Sequence, residues 1–367
     1  MPKKDGSFRI GCGRYLQGEN FIQKSGSEFL RFSDKVVVIG DSISLNITKE
    51  DIAKSAKDNG VDVKFVLHDG TCNEDDAIVI AKEAKNSGYG LVVGVGGGVI
   101  CDFAKIVAYY AKTPCMNIPT SSATCACFTP LSVRYTKDGE TIGSMHFTDE
   151  VNEVLVDTVI LKNQPVRLLL AGIFDAMAKF VEIKQRFREK EPIGSFSLGL
   201  DYAYMLAKGS YEVLVNNTDQ AVEDTKKDNV TPILDQVFFT TLCVTGVISG
   251  IARGSNQCAI AHKFYETTRT LFPVDCKSML HGEIVGVGLL LQNMFNGEKE
   301  NNSDLLRFMK NNGMPYTPAL LNITVNAETK KQYADKLIAS SAINDNDERE
   351  VERYLACQED FFNGIVE

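Results

Sequence analysis

The stretch from Leu91 to Glu140 constrains this chain more than any other. It opens with an apolar run, Leu91-Val92-Val93-Gly94-Val95, long enough for a parallel strand buried on both faces. Gly96, Gly97 and Gly98 follow. Then Ile100, Phe103, Ala104, Val107 and Ala108 recur at helical spacing. Strand, glycine turn and helix start make an anion cradle. Glycine has no Cβ, so a phosphate can come against the backbone amides, and the first turn of a helix is partly positive. A second apolar segment, Cys115 to Ile118, runs into Pro119-Thr120-Ser121-Ser122, whose hydroxyls can serve the same phosphates. The spacing is not GxGxxG, which needs glycine where Val99 stands. Nor is it a P-loop, which needs Gly-Lys-Ser/Thr. Alone, the triplet reads equally well as a plain turn.

The flanks supply the fold class. Lys35 to Ile39, ending at Gly40-Asp41, and Val63 to Leu67 read as buried strands. Residues 49–59 and Glu74 to Asn86 read as helices, closed by Asn59-Gly60 and Ser87-Gly88. Strand and helix in alternation predict a doubly wound, Rossmann-like parallel sheet. Residues 8–24 are expected as an edge hairpin or a strand plus turn, residues 133–140 as a hairpin, and Glu153 to Thr158 as a last strand. After Asn163-Gln164-Pro165 helical periodicity takes over. Helices are expected near 166–188, 194–216, 232–250, 255–270, 281–296, 303–312, 327–339 and 346–362, with the polar stretch Asn217 to Asn229 as a surface loop. The expected domains are therefore 1–163, α/β and dinucleotide-binding, and 164–367, all-helical and carrying metal and substrate.

Asp41 ends the first strand, at the sheet edge where parallel sheets bind ligands. A carboxylate there can accept from an adenosine ribose and would repel a 2′-phosphate; it can equally cap the next helix. In the usual Rossmann order the glycine loop precedes this acid, and here it follows.

Composition narrows the partners. A chain of 367 residues has room for about two domains. Its net charge of −9, with no basic run longer than Lys-Lys, argues against nucleic acid and anionic membrane as partners. No uninterrupted apolar stretch approaches the ~18 residues of a membrane span, and the N-terminus lacks an apolar signal core. A cytoplasmic location is expected. The ten cysteines form no CxxC pair and read as reduced thiols, mostly buried as small apolar residues.

Two segments, GGGVICDFAK and PTSSATCACFTPLSVRYTKDGE, resemble the glycerol dehydrogenase branch of the iron-containing alcohol and polyol dehydrogenases. That family carries GGGxxxDxAK and PTxxSTDAPxSxLSVxYTxDGE at this distance. The resemblance runs over most of the chain and implies a dehydroquinate synthase-like two-domain fold. It implies NAD rather than NADP, through Asp41. The expected cofactor residues are Asp41, Gly96, Gly97, Gly98, Asp102, Thr120, Ser121, Ser122, Thr129, Leu131 and Tyr135.

The helix PVRLLLAGIFDAMAKFVEIKQR sets Asp175, Lys179 and Glu182 on one face. This is either a surface salt-bridge ladder or, given the apolar flanks, a buried carboxylate that needs a cation. The match to PVRxLxAGxxDAxA implies that Asp175 binds metal. Lys179 is instead similar to the glycerol-1-phosphate dehydrogenase branch and suits an acidic or phosphorylated substrate; a Lys179–Glu182 pair is the competing reading. HGEIVGVG supplies His281 as the last metal histidine. In NQCAIAHKFY, setting His262 against the family's second histidine puts Cys258 in the metal position. The expected set is then Asp175, Cys258 and His281 around one divalent ion, zinc before iron because of the thiolate. A slipped register, with His262 as the ligand, and loss of the metal remain open. Cys125 stands where the family has a substrate-binding aspartate. Lys179, His262 and Cys125 are the candidate catalytic residues.

The expected function is hydride transfer between NAD(H) and a secondary alcohol or ketone of a small polyol or polyol phosphate, assisted by the metal. A homo-oligomer is expected. Two other classes stand beside this: a lyase or cyclase like dehydroquinate synthase, and a metal-free, nucleotide-binding member.

Overall fold

A computed structural model describes residue 8 and residues 10–186, 199–253 and 257–367 of the chain. In the first part strands and helices alternate: β1 (Tyr15–Gly18), α1 (Ser25–Phe29), β2 (Lys35–Gly40), α2 (Ser42–Asp58), β3 (Asp62–Leu67), α3 (Glu74–Asn86), β4 (Leu91–Gly96), α4 (Gly98–Ala111), β5 (Cys115–Pro119), β6 (Leu131–Tyr135), β7 (Thr141–His146), β8 (Glu153–Asp157) and α5 (Thr158–Lys162). Helices follow: α6 (Val166–Arg186), α7 (Leu200–Lys226), α8 (Pro232–Phe239), α9 (Thr245–Ile251), α10 (Ile260–Leu271), α11 (His281–Asn296), α12 (Asn302–Asn311), α13 (Ala327–Ala339) and α14 (Glu348–Phe362). Contacts divide the chain into two compact units. The first holds Arg9–Pro165 with Glu223–Gly246; the second holds Val166–Val222 and Val247–Glu367.

In the first unit six strands pair in parallel in the order β1-β8-β5-β4-β2-β3, while β6 and β7 form a separate antiparallel hairpin. Successive side chains of a strand point to opposite faces, so unbroken apolar runs serve two cores. Val37, Ile39 and Val92 meet Phe103 and Val107 of α4 and Ala77 and Ala81 of α3. Val36, Val38, Leu91 and Val93 meet Leu45, Ile52 and Ala56 of α2 on the other side. After β2 the chain winds outward to β3, then returns to place β4 on the other flank of β2. The carboxyl ends of β2 and β4 therefore form a topological switch point, where open α/β sheets bind ligands. Asp41 and the glycine triplet stand at those two ends.

Several expectations change. Within residues 10–24 the chain forms a strand followed by a 3₁₀ turn, Phe21–Lys24, with β1 at the sheet edge. Helix α2 begins at Ser42 rather than near 49, because Asp41 caps it by accepting from the Ser44 amide at 2.8 Å. Asn217 to Asn229 is not a loop: α7 continues to Lys226. Leu214, Thr218, Ala221 and Val222 are buried along one helical stripe that polar neighbours disguise, and the Thr218 hydroxyl donates to the Leu214 carbonyl at 2.6 Å. Residues 187–188, 194–198 and 255–256 of three expected helices lie outside the described residues. A π-helical turn, Thr240–Val244, joins α8 to α9. The resulting run Pro232–Ile251 has 20 residues with a hydropathy of 1.5, long and apolar enough to cross a membrane by length and composition, and it is 50% buried.

In the second unit α11 is buried from Gly282 to Phe295, which is why it reads as apolar all round. Its first turn lies against α6. A Cβ on Gly282 would stand 1.8 Å from the Ala171 carbonyl oxygen, so only glycine permits this approach. Gly282→Ala must push α11 away from α6. A loss of about 3 kcal/mol in unfolding free energy is expected, measured by denaturant titration; unchanged stability would show that this contact does not set the helix spacing.

Candidate active site

Three helices of the second unit build a buried cluster of charged side chains. The 3.6-residue period of α6 carries Asp175, Lys179 and Glu182 on one face. All are almost without solvent exposure, at 4%, 5% and 0%. The surface-ladder reading is therefore excluded. The first turn of α10 supplies His262, and the start of α11 supplies His281.

The ligand atoms of Asp175, His262 and His281 all lie within 4.8 Å of one another. His262 Nε2 is 3.2 Å and His281 Nε2 3.4 Å from Asp175 Oδ1. Behind them, Glu182 accepts from His262 Nδ1 and from the amides of Ala259 at 2.7 Å and His262 at 2.8 Å. That fixes the ring and turns Nε2 toward Asp175, the outer support that metal-ligating imidazoles ordinarily have. The Lys179 Nζ lies 3.1 Å from His262 Nε2 and 3.4 Å from Asp175 Oδ1. Its close contacts in this cluster are with Asp175 and His262, while its charge also acts on Glu182.

The electrostatics follow from burial opposed by pairing. Burial works to raise the pKa of Asp175, but Lys179 and the hydrogen bonds from both histidines hold it well below the usual carboxylate range. Glu182 is likewise lowered, burial being outweighed by His262. For His262, burial favours the neutral ring, yet the Glu182 charge outweighs it, helped by Cys258 and the bond to Asp175, and the imidazole is pushed up to about 10.

The expected place of Cys258 needs correction. Among the described residues the group able to hold a metal ion is Asp175, His262 and His281, without Cys258. The i, i+4 rule requires both residues to be helical. Helix α10 begins at Ile260, so Cys258 precedes it and the rule does not apply. The argument for zinc from a thiolate falls with it.

The first unit carries the glycine cradle. Gly97 caps α4, and a Cβ there would meet nothing closer than Ser121 Oγ at 3.5 Å, so the space before it is open. Gly96 lies beside the acid: its Cβ would stand 3.1 Å from Asp41 Oδ2. The Ser44 hydroxyl donates to Asp41 Oδ2 at 2.9 Å and lies 3.1 Å from Thr120 Oγ1, linking the ends of β2 and β5. Asp41 caps α2 and also stands at the cradle. Thr120, Ser121, Leu131 and Tyr135 are partly exposed. Ser122 is not available as expected: it is fully buried, and its hydroxyl accepts from Gln164 Nε2 at 2.9 Å. Asp102 is also turned inward. It accepts from the Val133 amide at 2.9 Å and pairs with Lys105 at 2.8 Å. The Lys105 ammonium donates to the carbonyls of Ala126, Thr129 and Leu131. Asp102 and Lys105 thus clamp residues 126–133 onto α4, and Thr129 is buried by that clamp. Cys125, half-buried, begins the short 3₁₀ turn Cys125–Cys127.

Two supporting pairs escaped the sequence reading. Glu182 was visible on the helix face but not as the orienting partner of His262, because only folding brings α10 to it. Glu283 accepts from the Leu280 amide at 2.7 Å and from Arg167 Nε and Nη2 at 2.5 and 2.6 Å. It holds the first turn of α11, and with it His281, to α6. The signal was an acid three residues into a helix, the pattern of a capping box.

Residues 12–160 match the family described as iron-containing alcohol dehydrogenase. The chain is 30% identical over 328 residues to a glycerol dehydrogenase of Thermotoga maritima, covering 88% of this chain and 87% of that one. It is 29% identical over 329 residues to a glycerol dehydrogenase of Pseudomonas putida, covering 89% and 88%. Among solved structures it is similar to the glycerol dehydrogenase of Schizosaccharomyces pombe, with a TM-score of 0.84, 21% identity, and coverage of 98% of this chain and 91% of that one.

The His262 environment makes stability depend on pH. Its folded pKa of about 10 lies above the 6.5 of a free imidazole, so the folded chain keeps a proton that the unfolded chain releases. The stabilisation is complete below the unfolded value and is lost as pH rises through the folded one. With chelator present, wild type should lose ~2–4 kcal/mol more than His262→Gln between about pH 6.5 and 10. Parallel curves for the two proteins would mean that His262 is neutral in the fold.

Proposed function

The chain belongs to the iron-containing alcohol dehydrogenase family, and from that premise we propose that it is an NAD-dependent polyol dehydrogenase that interconverts a secondary alcohol with its ketone. The observation that carries the reading is the buried set of one carboxylate oxygen and two imidazole nitrogens within 4.8 Å of each other. Two imidazoles and a carboxylate, with a fourth position left for substrate, are a donor set of catalytic zinc. Zinc is accordingly proposed on this ground, although imidazole suits iron as well. When bound, a divalent ion would supply Lewis acidity at the substrate oxygen, and a nicotinamide would supply the hydride acceptor or donor. Asp175, His262 and His281 would hold the ion. Glu182 keeps His262 Nδ1 occupied so that Nε2 stays directed at the site. The open face of Gly97 at the start of α4 would receive the pyrophosphate, and Asp41 the ribose.

An uncharged polyol is proposed as the substrate, after the glycerol dehydrogenases among the chain's relatives. Neither the lyase nor the nucleotide-only reading gains support from the relatives. A cytoplasmic homo-oligomer remains the proposed state; the cysteines, none of which is in a disulfide, fit a reducing compartment.

The test joins turnover to binding. Purified protein with Zn²⁺ or Fe²⁺ should reduce NAD with glycerol or a vicinal diol. Gly97→Asp puts a carboxylate in the anion position and should weaken NADH by at least ~30-fold, about 2 kcal/mol, in calorimetry. Equal NADH affinity would remove the cradle assignment.

Metal content separates the ligand sets. His262→Ala should abolish retained metal by elemental analysis, and Cys258→Ser should keep it. The reverse pattern would restore Cys258 as the ligand and sink the His262 assignment.

A further inference from the structure

Metal ligation accounts for Asp175, His262, His281 and, through its bond to the ring, Glu182. It does not account for Lys179. An ammonium has three donors and no acceptor, so it enters this cluster only as a cation. It lies 3.1 Å from His262 Nε2 and 3.4 Å from Asp175 Oδ1, two of the three atoms that would hold a metal. Those two atoms are themselves 3.2 Å apart. An ion touching both at about 2.1 Å would stand within about 4 Å of the ammonium. Two cations that close, in a site almost without water, repel strongly. The backbone offers no relief, because Phe174, Ala178 and Ile183 of α6 are fully buried. Only the flexible lysine stem can yield.

We propose that Lys179 is a built-in competitor for the metal: its ammonium pairs with Asp175 beside the His262 ring in the metal-free protein, and a divalent ion binds only as that ammonium withdraws. The proposal rests on the metal reading above. The lysine keeps a buried carboxylate compensated when no ion is present, and it lowers the affinity of the three-ligand site for any divalent ion. Lys179 is therefore a residue that sets metal affinity, and its distance from Asp175 Oδ1 is the reason.

The experiment uses the full chain, stripped with chelator, and titrates Zn²⁺ and Mn²⁺ by calorimetry into wild type, Lys179→Met and Lys179→Gln. Both variants should bind each ion at least tenfold more tightly than wild type. Without metal they should melt below wild type, and metal should raise their Tm by more. Equal affinities would overturn the proposal, since the ammonium would then not contend for the donors. Weaker binding in the variants would also overturn it and make the lysine nitrogen a ligand or a scaffold. If all three proteins fail to bind either ion, the metal reading itself is lost. If wild type folds and neither variant does, by circular dichroism, Lys179 is structural and the proposal falls.

Discussion

The bond between Glu182 and His262 governs the second unit. A carboxylate with no solvent exposure must be paired, and this one accepts from the ring Nδ1 and from two amides at the entrance to α10. It thereby does three things at once. It satisfies backbone donors that a helix start leaves open. It fixes the orientation of the imidazole by keeping Nδ1 occupied. It also ties α10 to α6, so that His262 and Asp175 meet. Removing that carboxylate would leave the amides, the ring and the helix contact without support together.

Around that bond the helices are held at short range by contacts that admit no variation in size. Gly282 lets the first turn of α11 touch the carbonyl of Ala171. Arg167 and Glu283 then fasten the same turn, one from each helix. This fastening holds the turn that carries His281 against α6. The motif HGE is thus read as one ligand, one close approach and one anchor, three different demands on three consecutive residues.

The first unit solves a different problem, which is to leave backbone amides facing solvent at the end of a buried strand. The switch in winding between β2 and β4 opens the crevice. Gly97 keeps it empty of side chain, and Asp41 borders it. Lys105 gathers three carbonyls of the loop that follows β5 beside Asp102. Residues of one motif therefore divide between presenting the cradle, as Gly97 does, and bracing it, as Asp102 and Lys105 do.

The sequence by itself determined whatever depends on local period and local chemistry. The parallel strands, the glycine turn and the helices that carry Asp175 and His281 were all legible, because apolar spacing and capping residues act within a few positions of the chain. Tertiary structure alone decided what depends on direction. Cys258 and His262 are four residues apart in sequence, yet only His262 lies within α10 and reaches Asp175. Ser122 and Asp102 have the chemistry of ligand contacts, yet the fold turns both inward onto Gln164 and Lys105. Lys179 looked like a receptor for an outside anion until α10 brought His262 against it. In each case the side chain's chemistry was visible beforehand, but its partner comes from a segment distant in sequence, and only packing chooses among the partners that chemistry allows.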